Sequence, residues 1–201
     1  MPARAPGKLA VHPLTPRRWN DLVTLFMGRG SGQVRWCWCM YYRRSGRADI
    51  PPGVSVADFN RDALKSLVEA GVVPGLIGYR DDKPVAWVSL GPRADYAKLA
   101  KSPVMRAVDD KPVWSVICFY TAPEARGAHV AETMLAHAAD YARANGATLL
   151  EAYPVDMPER SRDENAWFGA KAMYDRAGFA EVARRKPTRP VLRKTLRKNR
   201  A

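Results

Sequence analysis

The stretch from residue 113 to residue 153 constrains the fold more than any other part of the chain. Residues 113–120 are rich in β-branched and aromatic side chains and read as a buried strand. A proline turn follows, and a long amphipathic helix is predicted over 128–145. Val130, Met134, Ala138 and Ala142 recur on one face of it, with Leu135 and Tyr141 beside them. Gly146 stands where such a helix ends, and residues 147–153 read as a second buried strand stopped by Pro154. Two strands joined through a helix imply one parallel crossover inside a mixed sheet.

The flanking segments supply the rest of an α/β (α+β) fold. Residues 8–14 suit an edge strand, and Thr15-Pro16 offers a helix start running to about residue 27. A helix is predicted over 56–70. The apolar runs 73–79 and 85–90, separated by Arg80-Asp81-Asp82-Lys83-Pro84, predict a hairpin. Residues 94–100 suit a short helix or a loop. A helix over 165–177 ends at Gly178, and 179–183 and 190–196 are expected as final strands. No repeat or linker divides the 201 residues, so a single domain is expected, with a core over about 8–196.

Several classes are disfavoured by composition. No apolar run approaches the roughly 20 residues that cross a bilayer, and residues 1–8 are not followed by the apolar segment of a secretory signal. Cys37, Cys39 and Cys118 are too few for a disulfide framework, which makes the cytoplasm the expected address. The net charge is +13, and it is concentrated at residues 184–201, where Arg184, Arg185, Lys186, Arg189, Arg193, Lys194, Arg197, Lys198 and Arg200 fall without an acidic residue. A solvated basic edge is the expected role of this tail. A polyanion partner, or steering of a polyphosphate or acidic substrate, are the alternatives. Like charge disfavours a polycationic acceptor such as an aminoglycoside.

Chemistry concentrates at the junction between the first buried strand and the long helix, V116-I-C-F-Y-T-A-P-E-A-R-G-A-H-V-A131. A basic, small-residue loop opens a helix there. Helix N-termini present unpaired N–H groups and the positive end of the dipole, which suits a phosphate, although an ordinary strand-to-helix turn has the same outline.

The junction resembles the acyl-CoA signature of the GNAT superfamily of N-acetyltransferases, R/Q-x-x-G-x-G/A. Arg126 stands at its first position and Ala131 at its last, and His129 replaces the usual Gly. The later "MYDRAGF", Met173 to Phe179, is similar to the family's "LYEKLGF" element. "WCWCMYYR" and "PTRPVLRKTL" are similar to segments of a less-studied subgroup. The resemblance spans most of the chain. It implies a mostly antiparallel GNAT-type sheet, acetyl-CoA as cosubstrate and no metal.

The resemblance also implies roles for individual residues. Backbone of Phe119, Tyr120 and Thr121 would hold the pantetheine, and the loop Arg126, Gly127, Ala128, His129, Val130 and Ala131 would hold the pyrophosphate. Tyr174 would be the general acid that protonates the departing thiolate. A carboxylate could take the amine proton, with Glu151 preferred to Asp156, or either could be an arginine's structural partner. The expected reaction is direct acetyl transfer to a primary amine, on a small molecule or a protein lysine, in a ternary complex. Homodimers are common among such proteins. A catalytically weak acyl-CoA sensor is the main alternative, motivated by His129, and a nucleic-acid-binding module using the basic tail is the lesser one.

The remaining candidates are the cysteines and aromatics. Cys37-x-Cys39 lacks further ligands at zinc spacing, and buried thiols acting as small hydrophobes are expected. A Cys118 nucleophile in a strand interior has no base placed by sequence to activate it. Trp36, Trp38, Tyr41 and Tyr42 suit core packing, or the wall of an acceptor pocket.

Overall fold

The computed structural model describes residues 7–46, 50–127, 129–157 and 167–196. Seven strands form one sheet: β1 (Ala10–Pro13), β2 (Gly75–Arg80), β3 (Lys83–Pro92), β4 (Trp114–Thr121), β5 (Leu149–Ala152), β6 (Ala180–Lys186) and β7 (Arg189–Thr195). Their spatial order is β1-β2-β3-β4-β5-β7-β6. Only β4 and β5 pair in parallel, and every other neighbour is antiparallel. This is the mixed, mostly antiparallel sheet with one crossover that the sequence implied.

Six α-helices flank the sheet: α1 (Trp19–Met27), α2 (Val34–Cys37), α3 (Val56–Glu69), α4 (Ala97–Lys101), α5 (Val130–Ala144) and α6 (Lys171–Arg176). Most fall where periodicity put them. Thr15 precedes a 3-10 turn at Pro16–Arg18 without capping it through its side chain, whereas Ser55 Oγ accepts from the Asp58 N–H at 3.1 Å and caps α3. The expected helix over 165–177 is shorter. Its first residues lie outside the described chain, Trp167 and Phe168 form a separate tight turn, and Gly169 at φ 78° breaks the backbone before α6.

Both faces of the sheet are covered, which explains why β3 and β4 read as continuous apolar runs. On one face, Ala86, Val88, Leu90, Val116 and Phe119 pack with Val130, Met134, Leu135 and Ala138 of α5. Gly78 of β2 admits this helix closely: a Cβ there would lie 2.7 Å from Met134 Sδ. On the other face, Trp87, Ile117, Cys118 and Tyr120 pack with Leu22, Leu25 and Phe26 of α1 and with Trp38, Leu64 and Val68.

Much of the basic tail belongs to the sheet. Arg184 bonds Asp156 and Glu181, Arg185 donates to the carbonyls of Val104, Arg106 and Ala107, and Lys194 donates to Ala177 O. Arg189 lies over the Phe168 ring and Arg193 enters a buried ion network. Arg197, Lys198 and Arg200 lie outside the described residues. No described helix is long and apolar enough to cross a membrane.

Candidate functional site

The site begins where two strands part. β4 and β5 pair at Trp114–Leu150, Ser115–Glu151 and Val116–Ala152, and no rung follows. On the other side of β4, the register to β3 slips between Ser89–Cys118 and Leu90–Val116, leaving Ile117 as the extra residue of a bulge. The bulge puts Ile117 and Cys118 toward the α1 face together. Beyond it, Phe119, Tyr120 and Thr121 keep a β3 partner but have no strand on the β5 side. Their main-chain groups on that edge are left for something other than the sheet to bond.

A buried network fixes the root of this opening. Glu151, fully buried, accepts from Arg193 Nε at 2.7 Å and from the Tyr153 hydroxyl at 2.5 Å, with Arg93 Nη1 3.6 Å away. Tyr153 Oη in turn accepts from Arg93 at 2.8 Å and lies 2.9 Å from Ser115 Oγ. Arg193 also reaches Asp109 at 2.7 Å, and that contact holds the Asp109 carboxyl below its usual range. Burial and the Glu151 charge push the Tyr153 phenol far above its ordinary value, so it stays protonated and donates. Glu151 therefore sits in the last paired rungs before β4 and β5 diverge, with both carboxylate oxygens engaged. Asp156 is engaged as well, by Arg184 at 2.7 Å.

At the far end of β4 the chain makes a 3-10 turn at Pro123–Ala125 and enters α5. Among the described residues no side chain caps α5, which leaves the N–H groups of its first turn open to a ligand. Gly127 adopts φ 82°, with no atom within 4 Å of where a Cβ would stand. Arg126 Nε donates to Thr121 O at 3.3 Å. His129 is left-handed at φ 51°, and its largely exposed imidazole lies 3.2 Å from Glu132 rather than capping the helix. Glu132 also pairs with Arg176, and this contact, with His129, holds its carboxyl below the ordinary range. A cleft of about 190 Å³ joins Thr121, Arg126, Gly127, His129, Val130, Ala131, Glu132 and Met173. Of the loop expected to hold a pyrophosphate, Ala128 alone lies outside the described residues. The open N–H groups, the basic Arg126 and the unobstructed Gly127 fit a diphosphate.

Tyr174 on α6 lies beside β4, its ring 6.4 Å from that of Phe119. It is fully buried, and its hydroxyl donates to Phe168 O at 2.7 Å. Burial raises the phenol far above its normal value, so it carries its proton at any working pH.

The aromatic, cysteine-rich segment divides between core and cleft. Trp38, Cys39 and Met40 are buried, and Trp38 stacks on Trp19 at 5.8 Å. Trp38 and Cys39 follow α2 as two consecutive left-handed residues, at φ 46° and 50°, a turn that costs about 1–2 kcal/mol per residue without glycine. That turn carries Cys39 inward, where Trp87 Nε1 donates to its sulfur at 3.2 Å. Cys37, Tyr41 and Tyr42 instead line a cleft of about 280 Å³ with Gln33, Val34, Cys39, Ile117, Cys118 and Trp167. The bulge of β4 is its floor. Sequence reading did not single out Gln33, Val34 or Trp167, because nothing local distinguishes them; only the fold brings them to Ile117.

The profile of the Acetyltransferase (GNAT) family matches residues 38–179. No curated protein sequence matches the chain. Among solved structures, the Drosophila melanogaster polyamine N-acetyltransferase, which forms N-acetylagmatine, superposes with a TM-score of 0.55 at 15% identity, covering 94% of this chain and 100% of that one. An N-acetyltransferase from Staphylococcus aureus Mu50 gives 0.54 at 11% identity, covering 95% and 100%. A ribosomal-protein-alanine N-acetyltransferase from Brucella melitensis gives 0.52 at 16%, covering 93% and 99%. At such identities these likenesses establish the fold alone.

Proposed function

Because the chain belongs to the acetyltransferase (GNAT) family, we propose that it transfers an acetyl group from acetyl-CoA to a primary amine, on a small molecule or a protein lysine, by direct attack in a ternary complex. The observation that carries this reading is the parting of β4 from β5 after Val116–Ala152, next to the uncapped start of α5. A pantetheine chain fits the unpaired edge of Phe119, Tyr120 and Thr121, and a diphosphate fits the cleft from Arg126 to Ala131. On this reading the thioester lies over the bulge, in reach of the aromatic cleft on the other face.

In the transfer, the amine nitrogen bonds to the thioester carbonyl carbon, the carbon–sulfur bond breaks, and the sulfur takes up a proton. We assign that proton to Tyr174, which stands beside the unpaired edge and keeps its proton. Its hydroxyl must leave Phe168 O to donate. General acid help of this kind is worth about 10²–10⁴ in rate. Glu151 is assigned to positioning instead of to proton removal, since its partners occupy both oxygens. The amine then enters as its free base and loses its second proton to solvent through the open cleft.

The reading is tested by incubating the protein with acetyl-CoA and a panel of amines, peptides and protein lysines while following free thiol. Thiol release with at least one acceptor is expected. CoA binding by calorimetry with no release from any amine would leave an acyl-CoA-binding protein, and no CoA binding would end the reading altogether.

A further inference from the structure

A second cleft, of about 490 Å³, opens beside the one over the bulge, and Trp36, Arg44 and Asn60 are among its walls. Gln33, Cys37 and Tyr41 line both clefts, so the two adjoin across shared walls. In this outer cleft, buried polar atoms are left over. Asn60 Nδ2 donates to Trp36 O at 2.8 Å, which fixes the amide, and its Oδ1 has no partner. Arg44 Nε and Nη1 are likewise buried and unpartnered. Its guanidinium lies over the face of the Phe59 ring, 5.8 Å away, and its charge acts on the neighbouring Cys37 thiol. Arg44 is half-buried as a whole, but two buried nitrogens without an acceptor are costly, and the planar fork of a guanidinium matches a carboxylate.

The charge pattern gives the sign of the missing group. Among the described residues, no Asp or Glu lines either cleft. Among the described side chains a diamine or polyamine finds no counter-charge there, while a carboxylate meets Arg44. Trp36 and Tyr41, 62% and 50% exposed, give the rim an apolar surface for whatever joins the two ends of a ligand.

We infer that the acceptor is an amine bearing a carboxylate several bonds away, as in a short peptide with free termini or a diamino acid. Arg44 holds the carboxylate in the outer cleft, and the amine reaches β4 through the inner one. This rests on the acetyl-transfer reading above.

Matched pairs differing only in the carboxylate test it: a dipeptide against its C-terminal amide, and lysine against 1,5-diaminopentane. Two readouts are taken, kcat/KM from thiol release and calorimetric affinity in the presence of CoA. The acid is expected to win by tenfold or more in at least one pair, and which pair it is distinguishes peptide from diamino acid. Arg44→Gln should bring that pair within threefold of each other while CoA affinity is unchanged. Arg44→Lys, which keeps the charge and loses the fork, should fall between. Equal or better use of the amide and the diamine, or a preference that survives Arg44→Gln, overturns the inference. Absent CoA binding defeats the acetyl-transfer reading instead. If CoA binds without turnover, the calorimetric comparison of acid with amide still decides for or against Arg44.

Discussion

Glu151 on β5 and Arg193 on β7 are register partners, and their side chains meet at 2.7 Å in the buried interior. With Tyr153, Arg93, Ser115 and Asp109 they tie β4, β5, β7 and the turn after β3 together at the last rungs before the sheet opens. The ion pair is thus part of how the opening holds its shape.

Removing the carboxylate should therefore damage stability before chemistry. Glu151→Ala removes the acceptor of Arg193 Nε and of the Tyr153 hydroxyl, leaves Arg193 with Asp109 alone, and should cost about 3–5 kcal/mol. Urea unfolding measures this directly. Turnover per folded molecule, measured at low temperature, should fall less than tenfold. A loss of a thousandfold in kcat with wild-type stability would return Glu151 to the role of general base.

Tyr174→Phe separates a proton donor from a packing residue. Both rings fill the same space, so stability should drop only by about 0.5–1.5 kcal/mol for the lost bond to Phe168 O. If the phenol serves the thiolate, kcat should fall at least tenfold, with CoA affinity retained. An unchanged kcat would limit Tyr174 to the core.

His129→Gly examines the departure from the family signature. Glycine adopts φ 51° freely, which relieves the left-handed strain, but it also adds freedom to the unfolded chain. Stability should stay within about 1 kcal/mol of wild type. Because the imidazole lies against Glu132, CoA affinity should change less than threefold. A tenfold gain by calorimetry would mean that the histidine obstructs the cofactor loop.

How much of this was legible depended on how local the cause is. The crossover from β4 through α5 to β5 could be read because its apolar periodicity and its Gly146 stop lie within the segment itself. The expectation of an anion site over Arg126–Ala131 is local in the same sense, since the loop and the helix start that suggest it are contiguous. That Glu151 or Asp156 could pair with an arginine was legible from the charge balance, but not which arginine, since Arg93 stands in the turn after β3, Arg193 on β7, and no local pattern marks them as partners. The turn at Trp38 and Cys39 was also hidden, because a left-handed pair without glycine is imposed by packing around Trp87 and Phe26, not by propensity. The basic tail looked free in sequence because its acceptors, such as Glu181, Asp156 and the Val104 carbonyl, are assembled only by the sheet. Arg44 escaped notice as one arginine among many. What sets it apart is a pair of buried guanidinium nitrogens without a partner, which sequence does not encode locally.

Cys37 offers a chemical probe of the inner cleft. Burial and the neighbouring Cys39 push its thiol up from 9.0 to about 11. The thiolate is the reactive form, so raising the pKa lowers reactivity at every pH below it. At pH 8 the two-unit rise cuts the thiolate fraction about a hundredfold, and the greater intrinsic nucleophilicity of a high-pKa thiolate recovers roughly tenfold. Alkylation of the native protein by iodoacetamide, located by peptide mass mapping, should thus be at least tenfold slower at Cys37 than in a cysteine peptide. The rate should keep climbing between pH 9 and pH 10.5, where the peptide levels off. An acceptor bound between Tyr41 and Ile117 should slow it further, because Cys37 lines that cleft. Fast alkylation at pH 7 would show that the thiol is neither buried nor held protonated, and the cleft walls would have to be redrawn.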